Sequence, residues 1–188
     1  MTEKGKISRE RIIEAANRLV YIKGFNQTSI ADVANAVGIT KGNLNYHFKS
    51  KEELLEAIVQ YRIVNIRDML TQWDEQFPEA KSRLRRFVQM LLNEEKEIVR
   101  YGCPMGSLNT ELGKFQISLR DSSREMFDLF QRWLEKVFKQ LGDNKYSKER
   151  SMHLLSMAQG AALMSYIYSD KKILKAECKS IEEWIDAL

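Results

Sequence analysis

The chain has 188 residues, 44% of them hydrophobic, and a formal net charge of +4, so it can bury a sizeable core. Its apolar runs stay well below the roughly 20 residues of a membrane-spanning helix, and its N-terminus lacks the hydrophobic region of a secretory signal, so we expect a cytoplasmic protein. Cys103 and Cys178 are far apart and have no CxxC spacing, and the chain has only two histidines. We therefore expect no disulfide framework, no metal and no cofactor.

Basic residues concentrate at the front of the chain. Residues 1–50 contain eight Lys or Arg and four Asp or Glu, so the whole positive excess lies there. Such a segment suits a nucleic-acid partner, although a solvated amphipathic helix shows this balance about as often. The basic excess supports a nucleic-acid partner only in combination with the motif at residues 28–51, which lies at the end of this segment.

Hydrophobic periodicity predicts an all-α chain in which two prolines and nine glycines separate the helices. Three short helices are predicted to form an N-terminal helix-turn-helix module, at about 8–23, 30–37 and 41–48. Longer helices are predicted at about 51–73, 80–100, 104–112, 118–141, 148–168 and 181–188, the last capped by Ser180. We expect a DNA-binding domain at 1–50 and a helical ligand-binding and dimerisation domain at 51–188.

Residues 28–51 have the layout of a DNA-binding helix-turn-helix, two short helices joined by a tight turn. Gly38 suits the left-handed end of the first helix, Thr40 caps the second, and Leu44 is expected to pack inward. The polar side chains on the other face can contact phosphates and base edges. The predicted DNA-binding residues are Thr28, Ser29, Thr40, Lys41, Gly42, Asn43, Asn45, Tyr46, His47 and Lys51. Base edges are assigned to Thr40, Lys41, Asn43 and Asn45, and phosphates to Thr28, Tyr46, His47 and Lys51.

Several short motifs follow one another along roughly the first third of the chain. They are RIIEAANRLVYIKGF at 11–25, Thr28-Ser29-Ile30, Val37-Gly38-Ile39, Lys41-Gly42-Asn43-Leu44, Tyr46-His47-Phe48 and Ser50-Lys51-Glu52-Glu53-Leu54. In this order they resemble the TetR family of bacterial transcriptional regulators. The resemblance implies a homodimer that binds an inverted-repeat operator and a small-molecule effector. Asn45 departs from the family, which usually has an aromatic there, and asparagine can pair bidentately with adenine.

The second predicted domain is rich in methionine and aromatic residues. At helical spacing such residues most simply fill the core of a helix bundle. The TetR resemblance implies that the middle helices also hold a small-molecule pocket, and soft side chains suit apolar or planar ligands. The candidate effector-binding residues are Met69, Trp73, Phe87, Met90, Tyr101, Cys103, Met105, Asn109, Phe127, Phe130 and Tyr166.

The step Gly102-Cys103-Pro104 predicts the start of a helix, because proline suits the first helical turn. The unpaired amides and the dipole of a helix N-terminus stabilise a thiolate. A Gly-Cys entry resembles a subset of the family, some of whose members sense electrophiles or oxidants. A small buried residue in a tight turn explains the pattern as well, so Cys103 is a candidate sensor and no more.

The helices near 148–168 and 181–188 are the predicted dimer interface. The first carries small residues, among them Ala158, Gly160 and Ala161, that permit close helix approach, and Trp184 and Ile185 lie on the second. Burial of the first helix within one subunit explains the pattern nearly as well.

The predicted function is a ligand-responsive, sequence-specific transcriptional regulator, most simply a repressor released by a small apolar or electrophilic effector. We expect no enzymatic activity, because His47 and His153 accompany no nucleophile elbow, phosphate loop or paired acid cluster. One alternative is an activator of the same fold. Another is a small-molecule or redox-sensing protein of the same fold whose DNA reading is weak or lost.

Overall fold

The computed structural model describes the backbone of residues 3–115 and 117–188, and side chains within 9–113 and 121–188. The described residues form ten α-helices and no strand, which confirms the all-α prediction. The helices are α1 (Glu3–Lys23), α2 (Ile30–Val37), α3 (Lys41–His47), α4 (Lys51–Gln76), α5 (Ala80–Asn93), α6 (Glu95–Tyr101), α7 (Pro104–Phe115), α8 (Ile117–Gln140), α9 (Ser147–Ile167) and α10 (Lys171–Asp186). In these ranges no helix is both long enough and apolar enough to cross a membrane.

The helices fold into two compact units. The first unit contains the chain up to Val64 together with Ser107–Arg124, and the second contains Asn65–Gly106 and Glu125–Leu188. Helices α4, α7 and α8 contribute to both units because the boundaries fall within them. The predicted division at residue 50 lies where α4 begins, and it remains a prediction about the two domains.

The first unit is built around one face of each of its short helices. Apolar side chains recur at three- and four-residue spacing because that spacing lies on one side of an α-helix. Its core includes Ile12, Ala16 and Val20 from α1, Val33 and Ala34 from α2, Leu44 from α3, and Leu55, Ile58 and Val59 from α4. The polar face of α3 is thereby directed away from this core.

The second unit has a larger core with a buried ion pair at its edge. The core includes Leu84, Phe87 and Val88 from α5, Phe130, Leu134 and Val137 from α8, Leu154, Ala158 and Ala161 from α9, and Leu174, Cys178 and Ile181 from α10. Arg83, only 7% exposed, donates to the Asp74 carboxylate over 2.9 Å, and the indole N–H of Trp133 donates to the same oxygen over 3.1 Å. The buried guanidinium is therefore neutralised by a partner with further hydrogen bonds.

The prediction of one helix at 80–100 was wrong, because the chain bends at Glu94 (φ −96°, ψ 13°) and α6 starts at the next residue. The break lets α6 bury Ile98 and pack against α9 and α10. No glycine or proline marks this bend, so the sequence pattern predicted one continuous helix across it.

The prediction of a last helix that starts at 181 was also wrong. Helix α10 starts ten residues earlier, where the Asp170 carboxylate accepts from the N–H of Lys172 over 2.8 Å. Ser180 lies inside the helix, and its hydroxyl donates to the carbonyl of Ala176. The run of charged residues before Cys178 hides a helix whose buried positions, Leu174, Cys178, Ile181 and Ile185, keep helical spacing. Helix α1 likewise starts at Glu3, before the predicted residue 8.

Candidate nucleic-acid interface

The helix-turn-helix is held by local hydrogen bonds at each end of its turn. Gly38 adopts the left-handed conformation (φ 74°, ψ 35°), and the next amide, of Ile39, donates to the carbonyl of Ala34 over 3.0 Å. The Thr40 hydroxyl then accepts from the N–H of Asn43 over 3.1 Å and caps α3. Both caps predicted from the sequence are confirmed, and they fix the direction of α3 relative to α2.

Helix α3 has one buried and one exposed face. Leu44 is completely buried, as is Phe48 just beyond the helix. Thr40, Lys41, Gly42, Asn43, Asn45 and Tyr46 are all exposed, the last by 75%. His47 is half-buried, with its ring edge-on to that of Tyr46 at 5.4 Å. Seven of the ten predicted DNA-binding residues thus form one continuous surface on and beside α3.

Thr28 and Ser29 have structural partners within the chain. Thr28 is 3% exposed, and its hydroxyl donates to the carbonyl of Gly24 over 2.7 Å. Ser29 is exposed but forms a capping box with Asp32: its hydroxyl accepts from the Asp32 amide, and its own amide donates to the carboxylate. The Ser29 hydroxyl also donates to the Asp32 carboxylate over 2.7 Å, and this bond and the one from the Ser29 amide hold the pKa of the Asp32 carboxyl below its usual value. Both residues shape the entry to α2, which the sequence reasoning did not foresee.

Lys51 lies at the start of α4 against the loop that links α1 and α2. Its ammonium donates to the carbonyl of Asn26 over 3.2 Å and lies 4.3 Å from the centre of the Phe25 ring. The hydroxyl of Ser50 caps α4 by accepting from the amide of Glu53 over 3.0 Å. This is half of a capping box, because the Glu53 carboxylate accepts from the amide of Lys49 instead of that of Ser50.

Lys49 was missed by the sequence reasoning. Its ammonium donates to the carbonyl of Asn45 and lies 6.0 Å from the centre of the Tyr46 ring, next to the exposed surface of α3. Arg9 is a second addition, with its guanidinium over the Phe48 ring at 4.7 Å. The only signal for either residue was the general basic excess of the first 50 residues.

The candidate effector-binding residues fall into three groups. Trp73, Phe87 and Phe130 are at most 3% exposed and belong to the core of the second unit, where Phe87 and Phe130 pack edge to face at 5.6 Å. Half-buried positions in the same unit are occupied by Met69, Met90, Tyr101, Cys103, Met105 and Phe127. Asn109 belongs to the first unit, and Tyr166 is 44% exposed on α9. The eleven candidate residues therefore range from buried to exposed and are divided between the two units.

Cys103 immediately precedes α7, as predicted. Its sulfur accepts from the amide of Gly106 over 3.4 Å, and the helix starts at Pro104. A Cβ on Gly106 would lie 2.7 Å from the side-chain oxygen of Gln159, so the end of that side chain would have to move to admit it. Cys178, by contrast, is fully buried in α10. Burial and the charges of Glu182 and Glu177 raise the pKa of its thiol to about 12.

We expect iodoacetamide at neutral pH to alkylate Cys103 and to leave Cys178 intact in the folded protein. The thiolate is the reactive species, and a pKa of about 12 leaves almost none of it at Cys178. Peptide mass mapping checks this, with the denatured protein, in which both residues should react, as control. Equal labelling rates for both residues in the folded protein would contradict it.

Helix α9 carries an exposed apolar face opposite its buried one. The small residues Ala158, Ala161, Ala162 and Ser165 face the core of their own subunit, so the alternative of burial within one subunit is correct for them. The exposed apolar residues of the helix are Met152, Leu163, Met164, Tyr166 and Ile167, and Tyr168 follows directly. Gly160 lies among them, and a Cβ there would meet no atom within 4 Å. On α10, Ile185 is fully buried and is no surface residue, whereas Trp184 is half-buried against Phe138 and His153.

Three comparisons place the chain among known proteins. Residues 12–58 match the family model of bacterial regulatory proteins, tetR family. An HTH-type transcriptional regulator encoded in the lacX 3' region of Lactococcus lactis subsp. lactis is 22% identical over 90% of this chain and 88% of its own length. The HTH-type transcriptional regulator TtgR of Pseudomonas putida is 40% identical over 57 residues, 30% of this chain and 27% of TtgR. A TetR transcriptional regulator of Legionella pneumophila is 25% identical and superposes with a TM-score of 0.84 over 97% of both chains.

Proposed function

Since the chain is a member of the TetR family of bacterial transcriptional regulators, we propose that it is a homodimeric repressor that a small apolar or electrophilic effector releases from its operator. Its place in the family makes it a ligand-responsive DNA-binding regulator. Repression, the chemistry of the effector and the roles of single residues are the proposal. It works in the cytoplasm, where operator DNA is found, and it requires no catalytic step.

The exposed polar face of α3 carries this proposal. The caps at Gly38 and Thr40 set the direction of the helix, and the burial of Leu44 fixes its rotation. Asn43 and Asn45 are therefore presented outward from a rigid support, which suits bidentate contacts with base edges in the major groove. Lys51, together with Lys49, supplies phosphate contacts that set register and affinity.

Dimerisation rests on the exposed apolar face of α9. Met152, Leu163 and Ile167 lie along one side of the helix, each more than half exposed. Twofold packing of this face against a second copy buries these side chains and brings two helix-turn-helix motifs to one operator. Half-sites then lie roughly 34–36 Å apart, or at a multiple of that distance, on one face of the duplex.

Selection of bound sequences from a random duplex library at physiological salt tests the proposal. We expect enrichment of an inverted repeat, and repression of a reporter whose promoter overlaps that repeat. Activation of the reporter would refute repression alone. If folded, dimeric protein enriched no sequence, DNA reading would be refuted in favour of a ligand or redox sensor.

The hypothesis that an electrophilic effector acts at Cys103 leads to a separate prediction. N-ethylmaleimide is expected to weaken operator binding of the wild type by about 5- to 150-fold, the usual range of coupling between two sites. Cys103→Ser should abolish the response, and the matched variant Cys178→Ser should keep it. Operator titrations with and without the reagent check this. If Cys103→Ser still responded like the wild type, Cys103 would not be the sensor.

A further inference from the structure

We propose that Glu111 is a positioning residue for DNA recognition. From α7, its carboxylate clamps the loop between α1 and α2 and so sets the angle at which the helix-turn-helix meets DNA. This rests on the proposed function, because the clamp matters only if α2 and α3 read an operator.

The clamp consists of two hydrogen bonds to consecutive amides. One carboxylate oxygen of Glu111 accepts from the N–H of Phe25 over 2.8 Å, and the other accepts from the N–H of Asn26 over 2.7 Å. Both distances are in the range of charge-assisted hydrogen bonds. Glu111 is 86 positions from Phe25 and 85 from Asn26 in the chain, so this is a tertiary contact and not a local helix cap.

The loop is built to receive a carboxylate at this place. Gly24 has a positive φ of 85°, which strains any other residue, and a Cβ there would lie 3.2 Å from a Glu111 oxygen, so glycine suits both the turn and the approach. On the carbonyl side, the Lys51 ammonium donates to Asn26. An anion from α7 and a cation from α4 thus hold one short loop through its backbone.

Helix α7 is itself fixed within the first unit. Leu108 and Leu112 are buried at 3% and 0% exposure. The side-chain amide of Asn109 donates to the carbonyl of Ser123 over 3.1 Å, and the Ser123 hydroxyl donates back to Asn109 over 2.8 Å. Because Ser123 is fully buried, this reciprocal pair docks α7 on α8. The packing of α7 therefore positions the Glu111 carboxylate independently of its bonds to the loop.

The clamped loop leads directly into α2. Only two residues separate Asn26 from Ser29, the N-cap of α2, and Thr28 between them is buried and bonded to Gly24. A displacement of Glu111 therefore moves the start of α2. Helix α7 runs unbroken from Pro104, the residue after Cys103, to Phe115. An effector that shifts or turns this helix changes the clamp, and with it the presentation of α3.

The test compares Glu111→Gln and Glu111→Asp with the control Glu14→Gln, which removes the same charge from an exposed position of α1. Full-length variants are titrated with the selected inverted repeat and with a random duplex, and amide exchange of Phe25 and Asn26 is measured. For Glu111→Gln we expect about tenfold faster exchange and about tenfold weaker operator binding, since one of the two bonds is lost and the other is no longer charge-assisted. Random-duplex affinity should match Glu14→Gln, because the loss of one negative charge is common to both.

Glu111→Asp keeps both acceptor oxygens and should retain more operator affinity than Glu111→Gln, and it serves as the milder variant if Glu111→Gln folds poorly. Operator affinity of Glu111→Gln equal to that of Glu14→Gln would overturn the positioning role, and unchanged exchange would overturn the clamp. Failure of the wild type to select any inverted repeat would instead overturn the proposed function, and this role with it.

Discussion

Leu163→Glu is expected to separate the proposed dimer and to lower operator affinity by roughly 10²- to 10⁴-fold, the usual gain from linking two binding modules. Leu163 is 54% exposed at the middle of the apolar face of α9, and Ile167 lies one turn further along. In a twofold interface the new carboxylate meets apolar surface and its own copy, so two charges are desolvated without partners. Analytical ultracentrifugation and operator titration measure the two effects.

The control for this variant is Tyr146→Glu. Tyr146 is 48% exposed in the same unit but precedes α9, so its replacement adds the same charge to an exposed apolar position off the proposed interface. It should remain dimeric with unchanged operator affinity. A dimeric Leu163→Glu protein would exclude this face as the interface. A monomeric one that still bound the full operator as tightly would show that dimerisation is not needed.

The helix-turn-helix could be predicted from the sequence because its determinants are local. Gly38 and Thr40 each adopt the conformation that their residue type favours, and Leu44 is the buried residue of a seven-residue helix. Nothing in distant parts of the chain has to be known to place these side chains. The exposure of Asn43, Asn45 and Tyr46 follows from the burial of Leu44, because neighbouring residues on a helix point in different directions.

The clamp by Glu111 could not have been predicted in this way. It depends on the approach of α7 to a loop more than 80 residues earlier, and an isolated glutamate on a helix gives no sign of such a partner. The same limit explains the ends of α5 and α10. The bend at Glu94 and the extension of α10 back to Lys171 bury Ile98 and Leu174 in tertiary packing, which local propensity does not encode.

The second unit shows a different limit of the sequence reasoning. Trp73, Phe87 and Phe130 have the spacing and size expected for either a pocket or a core. In the structure all three are at most 3% exposed. The small residues of α9 were similarly ambiguous. Ala158 and Ala161 allow close approach of a neighbour, but both are buried within their own chain, where α9 packs against α10 and α6. Hydrophobic pattern identifies a buried face without identifying what covers it.

Asn43→Ala and Asn45→Ala are each expected to cost about 1–3 kcal/mol of operator binding and to relax the preference at one base position. Both side chains are exposed on α3, and alanine has a higher helix propensity than asparagine, so the variants should fold at least as well as the wild type. A loss of binding therefore reports on contacts with DNA. The measurement is a titration with the selected operator, with each single-base variant of it, and with a random duplex.

Two further variants separate base reading from general effects. Asn35→Ala makes the same exchange at an exposed position of α2 and should leave base preference unchanged. Lys49→Ala removes an exposed cation just beyond α3 and leaves the loop contact of Lys51 intact, so it should weaken operator and random DNA alike and reduce the salt slope by about 1. Equal losses of affinity for operator and random DNA in Asn43→Ala or Asn45→Ala would mean that this asparagine contacts the DNA phosphate backbone and not a base. Relaxed preference at Asn45 would mean that this chain reads a base where its family usually places an aromatic side chain.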